Sequence, residues 1–178
     1  MINKDSTIAV VQETALRTGV QIKGTTVDNL DSLSRAVELP IPAQLREWLM
    51  LCNCAPLGPG GVFGICKGSR HRDMEYLLGV FPAWKEQGWL PVAGDGVGSF
   101  YVINTHPTRT LSHPVYFVEE SDYERVAYVV ASGIWPFIWF YLQEELGDDF
   151  WPFDRSRVLR ADPALETCTD LKKPWEVE

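Results

Sequence analysis

The segment Trp89-Leu90-Pro91-Val92-Ala93-Gly94-Asp95-Gly96-Val97-Gly98-Ser99-Phe100-Tyr101-Val102-Ile103 decides the fold. Trp89 to Ala93 and Phe100 to Ile103 are β-rich runs, and Gly94 to Gly98 between them is turn chemistry, so the segment predicts a β-hairpin. Pro114 to Val118 and Ala127 to Ala131 are two more runs of the same kind, reached through the long polar connection Asn104 to His113. Together they predict an antiparallel meander. Toward the C-terminus, a helix is expected from Ser132 to about Glu145, with Pro136 tolerated because it lies in the first turn. Trp151-Pro152-Phe153 then opens a tail with a further helix over Asp154 to Ala161.

Toward the N-terminus, Met74 to Phe81 reads as helix, Lys67 to Asp73 as a polar loop and Val62 to Cys66 as a short strand. Gly58-Pro59-Gly60-Gly61 continues no helix. Leu45, Trp48, Leu49 and Cys52 recur at helical spacing and predict a helix from near Pro42 to near Asn53. Leu39-Pro40-Ile41-Pro42 forces an extended connection, because each Pro disfavours helix in the residue before it. Another helix, capped by Asp28 or Asp31, runs to about Val37. Residues 1–27 predict a short helix around Ile8 to Arg17 or a loosely docked arm. The order of elements is α+β: a mostly antiparallel sheet flanked by helices, with helices covering one face. The expected organisation is an N-terminal arm or helix over 1–27, a single domain over 28–149 and a C-terminal extension over 150–178 that packs on it.

The 178 residues are 46% hydrophobic and 22% charged, which excludes bulk disorder. The richest apolar run, Ala127 to Leu142, is broken by Gly133 and Pro136 and is no membrane span. Ile8 to Val11 is too short for a secretory signal, so a cytoplasmic protein is expected. Cys52, Cys54, Cys66 and Cys168 are not spaced as a disulfide framework, and reduced thiols are expected. The net charge of −8 argues against direct nucleic-acid binding. Most of that charge is concentrated. Glu119, Glu120, Asp122, Glu124, Glu144, Glu145, Asp148 and Asp149 stand against Arg125 alone within 119–149, a net of −7.

Cys52, Cys54, Cys66 and His71 have ligand chemistry for zinc, but their spacing matches no common ribbon or finger, and buried thiols are the simpler explanation. A nucleophilic Cys needs a base and a positive environment; Lys67, Arg70 and Arg72 supply charge without a defined geometry. Gly94-x-Gly96-x-Gly98 lies between two strands, so it lacks the helix N-terminus that cradles phosphate. Asp95 beside Gly reads as turn chemistry before acid or metal chemistry. No catalytic constellation, metal site or cofactor is expected. Ile134, Phe137, Ile138, Tyr141 and Leu142 form one core stripe, and Trp135, Trp139 and Phe140 widen the apolar surface beyond it. Either the tail folds over that second face or it is a partner-binding patch.

Several pieces together resemble the SUKH superfamily, which includes the yeast cell-wall synthesis regulator and many bacterial immunity proteins. They are Leu39 to Leu49 with Asn53, Phe81-Pro82-Ala83-Trp84-Lys85-Glu86-Gln87-Gly88-Trp89 through Gly98, Pro114 to Val118, and the helix with Phe137. The tail from Trp151-Pro152-Phe153-Asp154 through Val158-Leu159 and Asp162-Pro163 to Pro174-Trp175 is similar to an extension on bacterial members. One departure is Asn53-Cys54 where the family often has Asn-Gly; another cap is then required, and Gly58 to Gly61 are the candidates. The resemblance implies an α+β fold and a protein-binding role with no shared catalytic centre. In bacteria that role is neutralising a toxin, often a nuclease.

The expected partner is therefore a cognate, basic toxin, with the eight acidic residues, Trp135 and Trp139 as candidate contacts. A solvated acidic face that only favours solubility is the competing account. The alternatives to an immunity protein are a regulatory adaptor of the cell-wall regulator type and a small enzyme using the thiols or Asp95.

Overall fold

The computed structural model describes residues 2–177. Its centre is one sheet of β1 (Trp89–Gly94), β2 (Phe100–Asn104), β3 (Val115–Val118) and β4 (Tyr128–Ala131), in that order and antiparallel throughout. The first hairpin pairs Leu90 with Ile103 and Gly94 with Phe100, as its sequence predicts. Asp95 makes the turn: its Oδ1 accepts the N–H groups of Val97, Gly98 and Ser99 at 2.9, 3.0 and 2.9 Å.

Both sheet edges are closed, which removes templates for intermolecular pairing. On the β1 side, the Phe63 N–H donates to the Val92 carbonyl and the Gly94 N–H to the Gly61 carbonyl. On the β4 side, the Val129 N–H donates to the Lys172 carbonyl in the tail. The predicted strand over Val62 to Cys66 is reduced to two isolated bridges, Val62 with Ala93 and Gly64 with Asp73. Glycine is needed at 64, because a Cβ there would fall 2.2 Å from Asn53 Oδ1, which accepts the Ile65 N–H.

Among the described residues, seven α-helices surround the sheet: α1 (Lys4–Thr18), α2 (Val27–Val37), α3 (Ala43–Leu51), α4 (Met74–Val80), α5 (Pro82–Glu86), α6 (Ile134–Glu145) and α7 (Arg155–Ala161). The N-terminal region is helix, longer than its apolar residues suggest, because Asn3 and Ser6 form a reciprocal capping box. It is docked firmly: α1 packs on α6, and Thr7 Oγ1 donates to the Trp135 carbonyl. The cap of α2 is Thr26, not Asp28 or Asp31; its hydroxyl accepts the Asn29 N–H, and Asp28 falls in the first turn, where the helix dipole favours an acid.

The sheet is covered on more than one face. Tyr101 meets Phe137, Tyr141 and Trp151. Its neighbour Phe100 points the other way by strand alternation, onto Phe63, Phe81 and Trp84. The α4–α5 corner therefore occupies the side that a one-face arrangement leaves open, and β1 is buried at every position. Trp48 and Trp84 are fully buried in the continuous core.

Candidate functional site

The acidic residues of the β3–β4 connection ride on a fixed loop. The Glu120 N–H donates to Ser99 Oγ at 3.1 Å, the Tyr123 hydroxyl to the Gly98 carbonyl at 3.1 Å, and Trp84 Nε1 to the Tyr123 carbonyl at 2.5 Å. Gln87 Nε2 adds a bond to the Glu124 carbonyl at 2.9 Å. The Tyr123 ring closes an aromatic cluster with Phe81 and Phe100, at centroid separations of 4.7 and 5.8 Å. Glycine is required at 98, where φ is 122° and a Cβ would lie 2.6 Å from Glu120 Oε2. Glu119, Glu120, Asp122 and Glu124 are all exposed on this scaffold.

The second acidic group follows α6. Burial, with the like charges of Glu145 and Asp149 behind it, raises the Glu144 carboxyl above its usual range. Asp148 is engaged: its two carboxylate oxygens accept Arg157 Nη2 at 2.8 Å each. Burial above all pushes the Tyr128 hydroxyl up to about 12, with Glu119 and Asp95 adding to it. Burial is also the main cause that raises the Tyr101 hydroxyl, and among the smaller contributions are Asp95 and Glu144.

Tyr141 joins α6 to the end of β1. Its hydroxyl accepts the Gly60 N–H at 2.9 Å and donates to the Gly94 carbonyl at 2.7 Å. Gly58 packs on its ring so closely that a Cβ would fall 2.1 Å from it. Gly58 to Gly61 thus fasten a loop onto α6, not the end of α3 as the sequence suggests. The left-handed position that Asn-Gly would supply is taken by Cys54 itself, with φ 55°.

The thiols correct an expectation. Cys54 and Cys66 form a disulfide; only Cys52 and Cys168 are free, and both are buried. Asn53 explains the approach, because its side chain grips both the N–H and the carbonyl of Ile65 and brings the two neighbours together. Burial pushes the Cys52 thiol up to about 12, which leaves it protonated and unreactive at neutral pH. Among the described residues, no three His, Cys, Asp or Glu side chains form a group that can hold a metal ion.

The two tryptophans of α6 differ. Trp135 is 6% exposed and meets Trp48 edge-on at 6.3 Å, so its ring joins α6 to α3. Trp139 is half-buried beside Phe140 and Phe150, and it lines a hollow of about 380 Å³ with Ile2, Phe150 and Arg157. The tail covers much of the second face: Trp151 stacks on Phe140 at 5.9 Å, and its Nε1 donates to the Val130 carbonyl. Sequence reasoning missed Tyr123 and Phe81 as the base of the acidic loop, although Tyr123 stands inside the charge run. It also missed Tyr141 as the organiser of the glycine loop.

The antiparallel meander with its Gly-Asp-Gly turn, helices α2 to α5 before it and the first half of α6 all fall within the stretch that matches a known family. The model of the SMI1 / KNR4 family (SUKH-1) matches residues 24–139, more than half of the chain. The chain belongs to that family. A search of the curated proteins finds no match. The SUKH-1 match begins just before α2 and ends within α6, so α1 and the tail lie outside it. SUKH-1 is not a known enzyme family, and membership is consistent with a protein-binding module of the immunity or SMI1/KNR4 type. No helix among the described residues is long and apolar enough to cross a membrane.

Proposed function

We propose that this SUKH-1 chain is a non-catalytic immunity-type protein that binds and neutralises a basic toxin of the nuclease kind in the cytoplasm. The observation that carries this is the acidic loop: four exposed carboxylates on a segment pinned to the β1–β2 turn and to α5. Fixed like charges cost little ordering on binding and complement a basic nucleic-acid cleft, which raises the association rate and orients the partner. Glu119, Glu120, Asp122 and Glu124 form the nearer part of the contact; Glu144, Glu145 and Asp149 extend it, and Trp139 offers a half-open aromatic contact. Asp148 contributes through Arg157, and Trp135 supports α6 from beneath.

The test is co-expression with a toxin encoded beside this chain. Protection and a recoverable complex are expected. Replacing Glu119, Glu120 and Glu124 by Gln and Asp122 by Asn should slow association at low salt, and the deficit should shrink as the Debye length falls toward ~8 Å. Neither protection nor complex would overturn the immunity role in favour of a regulatory adaptor.

A further inference from the structure

The outer face of α4 carries two large apolar side chains beside exposed Glu75. Tyr76 is 44% exposed and Val80 49%, one helical turn apart. Gly79 lies between them, and a Cβ there would meet nothing. Two hollows flank this face and share Val80. One, of about 430 Å³, runs along Glu75, Tyr76 and Gly79; the other, of about 340 Å³, lies between Phe81, Pro82 and Ala83 and the loop residues Asp122, Tyr123 and Glu124.

The second hollow is preformed. Phe81 stacks on Trp84 at 4.4 Å and leans on Tyr123 at 4.7 Å, and the Trp84–Tyr123 hydrogen bond locks its two walls together. Its rim carries Asp122 and Glu124, both exposed. Nearby cations are few: Lys85 is paired with Glu38, Arg70 lies over the Tyr76 ring at 5.5 Å, and Arg125 follows Glu124 in sequence. Aromatic walls with a carboxylate rim suit one kind of side chain, a long aliphatic stem ending in a cation.

We infer that this hollow receives an arginine from an extended basic segment of the partner, its stem against Phe81 and Val80 and its guanidinium between Asp122 and Glu124. A neighbouring apolar residue of that segment lies along Tyr76 and Gly79. The inference rests on the proposed basic partner and adds where its anchor enters: the pocket is on this chain and the anchor on the partner.

The test uses the full chain, isotope-labelled for NMR, with the probe peptide acetyl-Gly-Arg-Leu-Arg-Gly-amide and its Glu-Leu-Glu counterpart, so it needs no toxin. The arginine peptide should shift the amides of Gly79 to Ala83 and Tyr123 with a Kd on the order of 1 mM, and the glutamate peptide should not. Asp122→Asn with Glu124→Gln should weaken binding roughly tenfold, since both replacements keep the loop's hydrogen-bonding oxygens. Val80→Arg, at an exposed position, should abolish it by placing a competing cation at the mouth, with the rest of the spectrum unchanged. Shifts centred on Glu144 to Asp149, equal binding of the two peptides, or no response to Val80→Arg would overturn the inference. Failure of toxin protection alongside retained peptide mapping would count only against the immunity role.

Discussion

Asp162 is a carboxylate kept from water by the packing of the tail, 4% exposed, with Ser132 as its partner. The Ser132 N–H and Oγ–H donate to it at 2.8 and 2.6 Å. Burial raises its pKa, and the two Ser132 bonds oppose the rise without cancelling it. The folded chain therefore holds this proton more tightly than the unfolded chain does. Its stabilising contribution is present below the ordinary carboxylate pKa of ~3.9 and is lost as pH rises through the folded-state value. Asp162→Asn keeps an acceptor for Ser132 and removes the titration. Relative to wild type, this variant should gain stability as pH rises above the ordinary carboxylate pKa of ~3.9 in urea titrations; parallel pH profiles would contradict the argument. At Cys54 the cost is of another kind, because a non-glycine residue in the left-handed region gives up about 1–2 kcal/mol.

The C-terminal turn of α6 ends in Glu144 and Glu145, the wrong sign for the helix dipole, with Asp149 close behind. Replacing exposed Glu145 by Gln should stabilise the fold by about 0.3–1 kcal/mol, seen as a higher thermal midpoint, and lower the Glu144 pKa. A lower midpoint would mean that Glu145 holds the turn in some other way. Such a misplaced charge is legible in sequence, and so were the hairpin and the meander, because turn residues and β-rich runs are local signals. What covers α6 was not legible. A helical stripe gives the width of an apolar face, but Trp135 is buried by α1 and α3, more than 80 residues away in the chain, and Phe140 by the tail. The five-residue α5 and the Cys54–Cys66 pairing were invisible for the same reason: tertiary contacts set them, the first through Trp84 on Phe100 and the Tyr123 carbonyl and the second through Asn53.

Charge and cover work on the molecule together. The chain carries −8, and most of the acidic surplus sits in 119–149, while the tail seals the β4 edge of the sheet through Lys172 and the aromatic face through Trp151. A chain ending at Asp149 would uncover Phe140, Tyr101 and the β4 edge at once. Edge exposure and an apolar patch both promote association. The shortened chain should lose its sharp unfolding transition and scatter light as it self-associates. A monomer melting at the full-length temperature would show that the tail is dispensable to the SUKH-1 core.

The Cys54–Cys66 bond closes a covalent ring around the segment that carries Gly58 to Gly61. Between α3 and α4 the chain is therefore connected by two routes, one through peptide bonds and one through sulfur. A protease that cuts once inside this ring releases nothing: the helices before it and the sheet after it stay one covalent molecule, and in denaturant it takes a reductant to resolve them into two fragments.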